Sequence, residues 1–574
     1  MSLFTFKFKN IGEISFLTLI SRILGQIRST LLGALLSTSA LADSFTIALK
    51  LPNFLRSLFS EGAASAVFIP MLSDAEANKT QKPPKQALPH PKTTPIPPHE
   101  HASITTQRMF TFLFTITLIA VVIVTVGGIL LAPYITTLLY SQAQFPLTPP
   151  FLTKNALTTH TTMLMMIMFP YLITISLASL ISALLYTRDR FKIATTLPIV
   201  FNVVFIIGIL IAIRFYSSSE QAKLVATFVL SLSVIIGGIL QLLLVVFALK
   251  KTGFAIKVDL RSLRKKRLAA LAKLIAPVTG SSLFHQLQLL LLDPIALSLG
   301  AGGVTALFFS NRLLEFPLAL LVYPVLTAAF PDLSRFASQA ATDPFEQTFK
   351  KSLSLIILLT LFASLTALMV HESIVSLVFG FGAFKEESIV LTAQCLYYSL
   401  LGLPFIAINR LITQTLYSAR RGRIVVLGAA FSLITSVGCS LLYTYLNPQI
   451  PMIALGATTA TVLTTVLYIG IITTTSLPLF SFSILKELSK KFFYYLSFMV
   501  IPSISVFYLR KPIDLALTTL KDAHRHTLVI KCFELGDIMV TAFLLAFFIL
   551  TLLVLGKDKE TLAFIKKLRN DPNS

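Results

Sequence analysis

Stretches of about 20 or more mostly apolar residues recur along nearly the whole chain, and nothing else in the sequence restricts the fold so strongly. Each is long enough to cross roughly 30 Å of hydrocarbon as a helix, because a helix rises about 1.5 Å per residue. Fourteen such runs are read: 11–38, 44–72, 109–140, 156–186, 193–214, 223–249, 268–300, 303–333, 352–378, 388–417, 424–446, 452–476, 492–509 and 530–555. With 55% hydrophobic and 13% charged residues among 574, the composition excludes a soluble globular domain. The expected fold class is therefore an all-α polytopic membrane protein with about fourteen transmembrane helices.

Loop charge gives the orientation, since Lys and Arg gather on the cytoplasmic side. With Lys7 and Lys9 inside, every second loop is basic: Lys79 to Arg108, then Arg188, Arg190 and Lys192, then Lys250 to Arg267, Arg335 to Lys351, Arg420 to Arg423, Lys486 to Lys491, and the tail from Lys557. The alternate loops are poor in Lys and Arg, with none in 38–42 or 447–451. Both termini are then cytoplasmic. Residues 510–531 depart from the pattern with Arg510, Lys511, Lys521, Arg525 and Lys531, as a longer loop is free to do.

The net charge of +23 is accounted for by these loops beside apolar spans, so nucleic acid is not an expected partner and membrane lipids are. Cys395, Cys439 and Cys532 sit within or beside spans without metal-ligand spacing and read as small packing residues. Lys7 and Lys9 precede a first run that is too long for a cleavable leader and carries arginines, so that run reads as a retained span. Residues 78–101, rich in Pro and Lys, form a cytoplasmic linker in which His99, Glu100 and His101 read as solvated loop.

Against this background the charges inside the apolar runs stand out. The first run holds Ser21, Arg22 and Arg28, and the second, just after Asp43, holds Lys50 and Arg56. An arginine near the bilayer centre costs at least about 2.5–3.5 kcal/mol on insertion scales, so these cations must face a watery or protein-lined cavity. Such a cavity is cationic, and its natural guest is an anion. In the eighth run Arg312 and Glu315 are three residues apart and share a helix face. Asp43 and Lys50, seven apart, are roughly aligned for an internal pair. Asp293, alone in the seventh run, is a candidate site for a coupling cation, with Asn409 as a possible polar neighbour. Ile69-Pro70-x-Leu72-Ser73 and Phe330-Pro331-x-Leu333-Ser334 each close a long run containing basic residues, a faint sign of two parallel halves. No phosphate-binding Gly-rich loop and no nucleophile or metal constellation is present, so an enzyme is not expected.

These residues also carry a resemblance. Ser21-Arg22-x-Leu24-Gly25-x-x-Arg28, Ala42-Asp43-x-Phe45, Lys50-Leu51-Pro52-Asn53-x-x-Arg56, Glu61-Gly62-Ala63, Phe169-Pro170-Tyr171, Ser176-Leu177-Ala178-Ser179-Leu180 and Arg312-Leu313-x-Glu315-Phe316-Pro317 together resemble the MurJ (MviN) family of bacterial lipid II flippases, of the multidrug/oligosaccharidyl-lipid/polysaccharide exporter superfamily. The match runs from the first span to the loop after the tenth; the last third is similar in hydropathy only. The resemblance implies two six-helix lobes around a central cationic cavity, here 1–250 (with the loop 73–108) and 251–478, followed by two C-terminal helices and a cytoplasmic tail in 479–574. It implies a substrate, undecaprenyl-pyrophosphate-linked disaccharide-pentapeptide, carried to the outer leaflet of the bacterial inner membrane for cell-wall synthesis. The family's cavity arginines carry over to Arg22, Arg28, Arg56 and Arg312, with Asp43 and Glu315 as the acids. Where relatives often carry acids, this chain has Ser29 and Asn311, which makes the cavity more positive. No cofactor is implied; the membrane potential, worth about 2.3 kcal/mol per charge at 100 mV, or a monovalent cation supplies the energy. A monomer in contact with cell-wall synthesis proteins is the expected assembly. A related exporter of other oligosaccharide-lipids or drugs shares this architecture, and the arginine-rich blocks argue against it.

Overall fold

The computed structural model of the chain describes residues 2–56, 68, 71–72, 106–143, 153–188, 190–215, 220–252, 254–262, 265–339, 341–419, 421–474, 493–497 and 527–555. The described residues are helical throughout their regular elements, and the chain divides into two compact units, Met1–Gly302 and Gly303–Ser574.

In the first unit α1 (Ser2–Leu36) turns into α2 (Ala40–Arg56) through three residues. Ser37 takes a left-handed φ of +56°, and Ser39 caps the new helix, its Oγ accepting from the Ala42 amide at 3.2 Å. The turn is thus fixed by local chemistry, which brings the two cation-bearing segments into succession. There follow α3 (Thr106–Leu139), α4 (Lys154–Met168), α5 (Tyr171–Tyr186), α6 (Phe191–Phe215), α7 (Glu220–Lys250) and α8 (Lys265–Leu299). α4 and α5 make one span broken at Phe169-Pro170, where proline withholds its amide. α6 lies against both α1 and α7, and close to α7 because a side chain at Gly208 would collide with Ser233. α8 packs with α2 and α3, so its polar groups belong to the first unit.

The second unit opens with α9 (Gly303–Pro317), a π turn at Leu318–Val322 and α10 (Tyr323–Ser338), which together form one span. The π turn begins just after Pro317, where the regular ladder is interrupted. Then come α11 (Thr342–Met369), α12 (His371–Phe379), α13 (Glu386–Leu401), α14 (Leu403–Ser418), α15 (Gly422–Leu446), α16 (Pro451–Thr474) and α17 (Thr527–Leu555). α13 and α14 bend by 50° at Gly402, ahead of Pro404. The core is aromatic and aliphatic, with Phe309 against Phe379 at 4.6 Å between ring centroids. α17 joins it through a polar strip: Asp537 Oδ2 accepts from Ser373 Oγ at 2.9 Å, and Lys531 donates to the Ser376 carbonyl and pairs with Glu534.

The distribution of polarity is that of a protein dissolved in lipid. Large apolar side chains such as Leu130, Tyr134 and Leu138 on α3 and Ile434 on α15 are exposed, while Thr115, Ser231 and Thr360 are buried. These three hydroxyls are satisfied within their own helices, each donating to a carbonyl four residues back at 2.6 to 2.9 Å. Among the described residues ten helices are long and apolar enough to cross a membrane, and eleven if α13 and α14 count as one span. The expected fourteen are therefore not all present as described spans. The run 530–555 lies within α17, whereas part of 44–72 and most of 492–509 fall outside the described residues, as do the linker 78–101 and residues Glu61, Gly62, Ala63, Ile69 and Pro70. The break between the runs 268–300 and 303–333 falls at Gly300 and Gly302, both with positive φ.

Candidate functional site: a cationic helix pair and its partners

Arg28 is held from another helix. Its Nη1 donates to Asn202 Oδ1 at 2.9 Å, and the guanidinium carbon lies 5.7 and 5.4 Å from the ring centroids of Phe201 and Phe205. These three partners are neighbours on α6, two aromatic residues one turn apart with the amide between them. Asn202 also donates through Nδ2 to the Ser21 carbonyl at 3.0 Å, so one buried amide ties together two points on α1 that are two turns apart. Cation–π contact contributes about 0.5–2 kcal/mol, rising as water is excluded, and a hydrogen bond to a charged group about 1.5–3 kcal/mol. Ser29, next to Arg28, turns inward and donates to the Gly25 carbonyl at 2.9 Å.

Arg22 lies exposed on the same helix, and Arg56, partly buried, is the last residue of α2 beyond Pro52. Lys50 is paired with Asp293 of α8 rather than with Asp43 seven residues back along its own helix. Asp293 is buried, and its Oδ2 makes no hydrogen bond among the described residues. The residue expected to hold a cation therefore already has one, the ammonium of a lysine 243 positions away. Asp43 is fully buried and accepts the Gly302 amide at 2.6 Å. Gly302 needs its positive φ of +86°, and any side chain there would strike the Thr38 carbonyl, so Asp43 fixes the α8–α9 turn against the α1–α2 turn.

In the second unit Arg312 and Glu315 form the expected pair at 3.2 Å along one face of α9, with side chains 33% and 64% exposed. Asn409 donates to the Thr461 carbonyl at 3.1 Å, a contact within the unit that links α14 to α16. Among the described residues no three His, Cys, Asp or Glu side chains converge in a way that would hold a metal.

Two residues escaped the sequence reading. Asn202 is a lone amide in the apolar run 193–214, and Arg410 a lone arginine in 388–417, stacked at 5.1 Å over Tyr323. The signal for both was the one used for Arg28: a polar group at bilayer depth needs a partner. What the first unit assembles is a pair of helices on which the Arg28 guanidinium and the Lys50 ammonium are oriented by side chains of α6 and α8; guanidinium groups suit a compact oxyanion with several acceptor oxygens.

The sequence matches the family described as Lipid II flippase MurJ over residues 32–514. A probable lipid II flippase MurJ of Rhizobium meliloti (strain 1021) is 30% identical over 440 residues, 76% of this chain and 74% of its own. The counterpart from Treponema pallidum (strain Nichols) is 28% identical over 426 residues, 74% of either chain. A solved lipid II flippase MurJ in an inward closed conformation aligns with a TM-score of 0.67 over 93% of this chain and 97% of its own, at 17% identity. An inward-facing multidrug resistance MATE family transporter of the MOP superfamily aligns at 0.60 over 78% and 92%, at 12% identity. These two likenesses establish the fold. The family match, which takes in α2, the Arg312 segment and what lies between them, establishes that the chain belongs to the MurJ lipid II flippase family.

Proposed function

We propose that this protein flips lipid II from the cytoplasmic to the outer leaflet of the bacterial inner membrane by alternating access, and so supplies peptidoglycan synthesis. The observation that carries the reading is the α1–α2 pair, with Arg22, Arg28, Lys50 and Arg56 within apolar segments of a chain in this family. A diphosphate concentrates negative charge that guanidinium groups grip through paired hydrogen bonds, strongly where water is scarce. A headgroup so polar cannot cross bare hydrocarbon, whereas the polyprenyl tail has no reason to leave it. Arg22, Arg28 and Arg56, with Arg312 of the second unit, are the cations proposed to hold the diphosphate; Ser21 and Lys50 lie in the same site, and Asp43 and Glu315 set its charge and geometry. No chemistry on the substrate is required of the chain, and it acts as a transporter without a bound cofactor.

The functional lobes are taken as 1–250 and 251–478, with 479–574 as the C-terminal helices and tail; packing groups α8 with the first unit, as Asp293 and Lys50 require. The membrane potential or a monovalent cation competing with Lys50 at Asp293 is the proposed energy source. The protein works as a monomer beside cell-wall synthesis proteins, with both termini cytoplasmic. Cysteines replacing Gln86 and Arg264 should label only from the cytoplasm and one replacing Gln449 only from outside; the reverse at Gln449 overturns the orientation.

The deciding experiment replaces Arg22, Arg28, Arg56 and Arg312 singly by Ala in a strain depleted of the native flippase. Membrane insertion is verified, and lipid II is measured leaflet by leaflet. Inserted protein with lipid II confined to the cytoplasmic leaflet is expected. Full outward flux in all four variants would sink the cationic site.

A further inference from the structure

We infer that Asn202 is a positioning residue for the anion site: it sets the orientation of the Arg28 guanidinium without touching the substrate. The inference rests on the reading of Arg28 as a diphosphate-binding cation, and on four observations. Asn202 is 5% exposed, on a helix other than the one that carries the arginines. Its carboxamide uses both ends on α1, Oδ1 accepting from Arg28 Nη1 at 2.9 Å and Nδ2 donating to the Ser21 carbonyl at 3.0 Å. The second bond fixes the amide plane, and the fixed plane fixes where the first bond holds the guanidinium. The rings of Phe201 and Phe205 flank the same guanidinium, and those rings are themselves braced, Phe201 by Tyr171 at 5.4 Å and Phe205 by Phe45 at 6.2 Å.

Charge makes the choice of residue meaningful. A carboxylate at 202 would accept the same bond but neutralise the arginine and repel a diphosphate. An aliphatic residue would leave an Nη group in a poorly hydrated place without its acceptor. A neutral acceptor is the side chain that orients a cation and leaves its charge available. A long arginine side chain otherwise gives up rotamer freedom when a ligand immobilises it, and prior fixing moves that cost from binding to folding.

The test uses the full-length protein purified in detergent, with lipid II titrated onto Asn202→Ala, Asn202→Asp, Arg28→Ala and the Arg28→Ala/Asn202→Ala double variant, alongside thermal unfolding of each. Asn202→Ala should weaken lipid II binding about ten- to a hundredfold, from the loss of a charge-assisted bond. In the Arg28→Ala background the same change should weaken it no further. Asn202→Asp keeps the volume and the acceptor towards Arg28 but sets a carboxylate oxygen against the Ser21 carbonyl and neutralises the guanidinium, so it should bind weakly whatever its unfolding temperature. A purely structural Asn202 would lower the unfolding temperature and affect binding equally in both backgrounds, and that additivity would refute the inference. So would native affinity in Asn202→Asp. If Arg28→Ala itself binds like the native protein, the anion-site reading fails first and the positioning role with it; if Arg28→Ala is weak and Asn202→Ala is native, the positioning role alone fails.

Discussion

Arg28 in the first unit and Arg312 in the second are arginines of the same expected role, and the fold treats them oppositely. Arg28 is bonded to a residue 174 positions away and flanked by two phenylalanines, all three partners on another helix. Arg312 is paired with Glu315, three positions along its own helix, and both side chains reach solvent or lipid surface. Lys50 follows the first pattern, its carboxylate partner coming from α8. The first unit has spent helix–helix contacts on fixing its cations before any ligand arrives; the second leaves Arg312 on a tether that can be exchanged for a ligand without opening a core. Preorganisation favours tight, oriented capture, and a loosely held cation favours release and recapture.

The contrast is most exposed to test at Lys50. Lys50→Ala leaves Asp293 buried without its counter-ion and should cost about 3–5 kcal/mol of stability, read as a fall in the unfolding temperature in detergent. Replacing both partners, as Lys50→Met/Asp293→Leu, should restore most of it, because the cost lies in the orphaned charge rather than in the lost pair. A Lys50→Ala variant that unfolds within about 1 kcal/mol of the native protein would put this pair in the class of exposed ones and erase the difference between the units.

A smaller effect is expected at the cradle. Phe205→Leu keeps the site apolar but removes one face of the cation–π contact and the ring packing with Phe45, for a loss of about 1–2 kcal/mol. Its mark should be loss of lipid II affinity as well as stability. An effect on stability alone would mean that the aromatic pair supports α6 rather than Arg28.

Least of all should change at the other arginine. Glu315→Gln should alter stability by less than about 1 kcal/mol, and by less still in high salt, since exposed ion pairs are screened. It should leave Arg312 more available and tighten headgroup binding at low ionic strength. A loss comparable with that of Lys50→Ala would show that the Arg312 pair is as structural as the buried one.

Much of this was present in the order of residues. Apolar length gave the all-helical membrane class, and the cost of placing Arg22, Arg28, Lys50 and Arg56 in hydrocarbon gave the need of each for a polar partner or a watery face, since both are local properties of composition or of hydration energy. The Arg312–Glu315 pair was legible for the same reason: a spacing of three on a helix is geometry that needs no other part of the chain. Spacing misled where the alternative partner was remote. Lys50 sits one helical repeat from Asp43, yet α8 brings Asp293 to Lys50, and Asp43 goes to the Gly302 amide. Nor did the sequence single out Asn202 or Arg410, because a polar group in hydrocarbon announces only that it must have a partner. Which partner it has depends on which helix faces align, and that is decided by packing across contacts such as Gly208 against Ser233, where one missing side chain sets how near two helices approach.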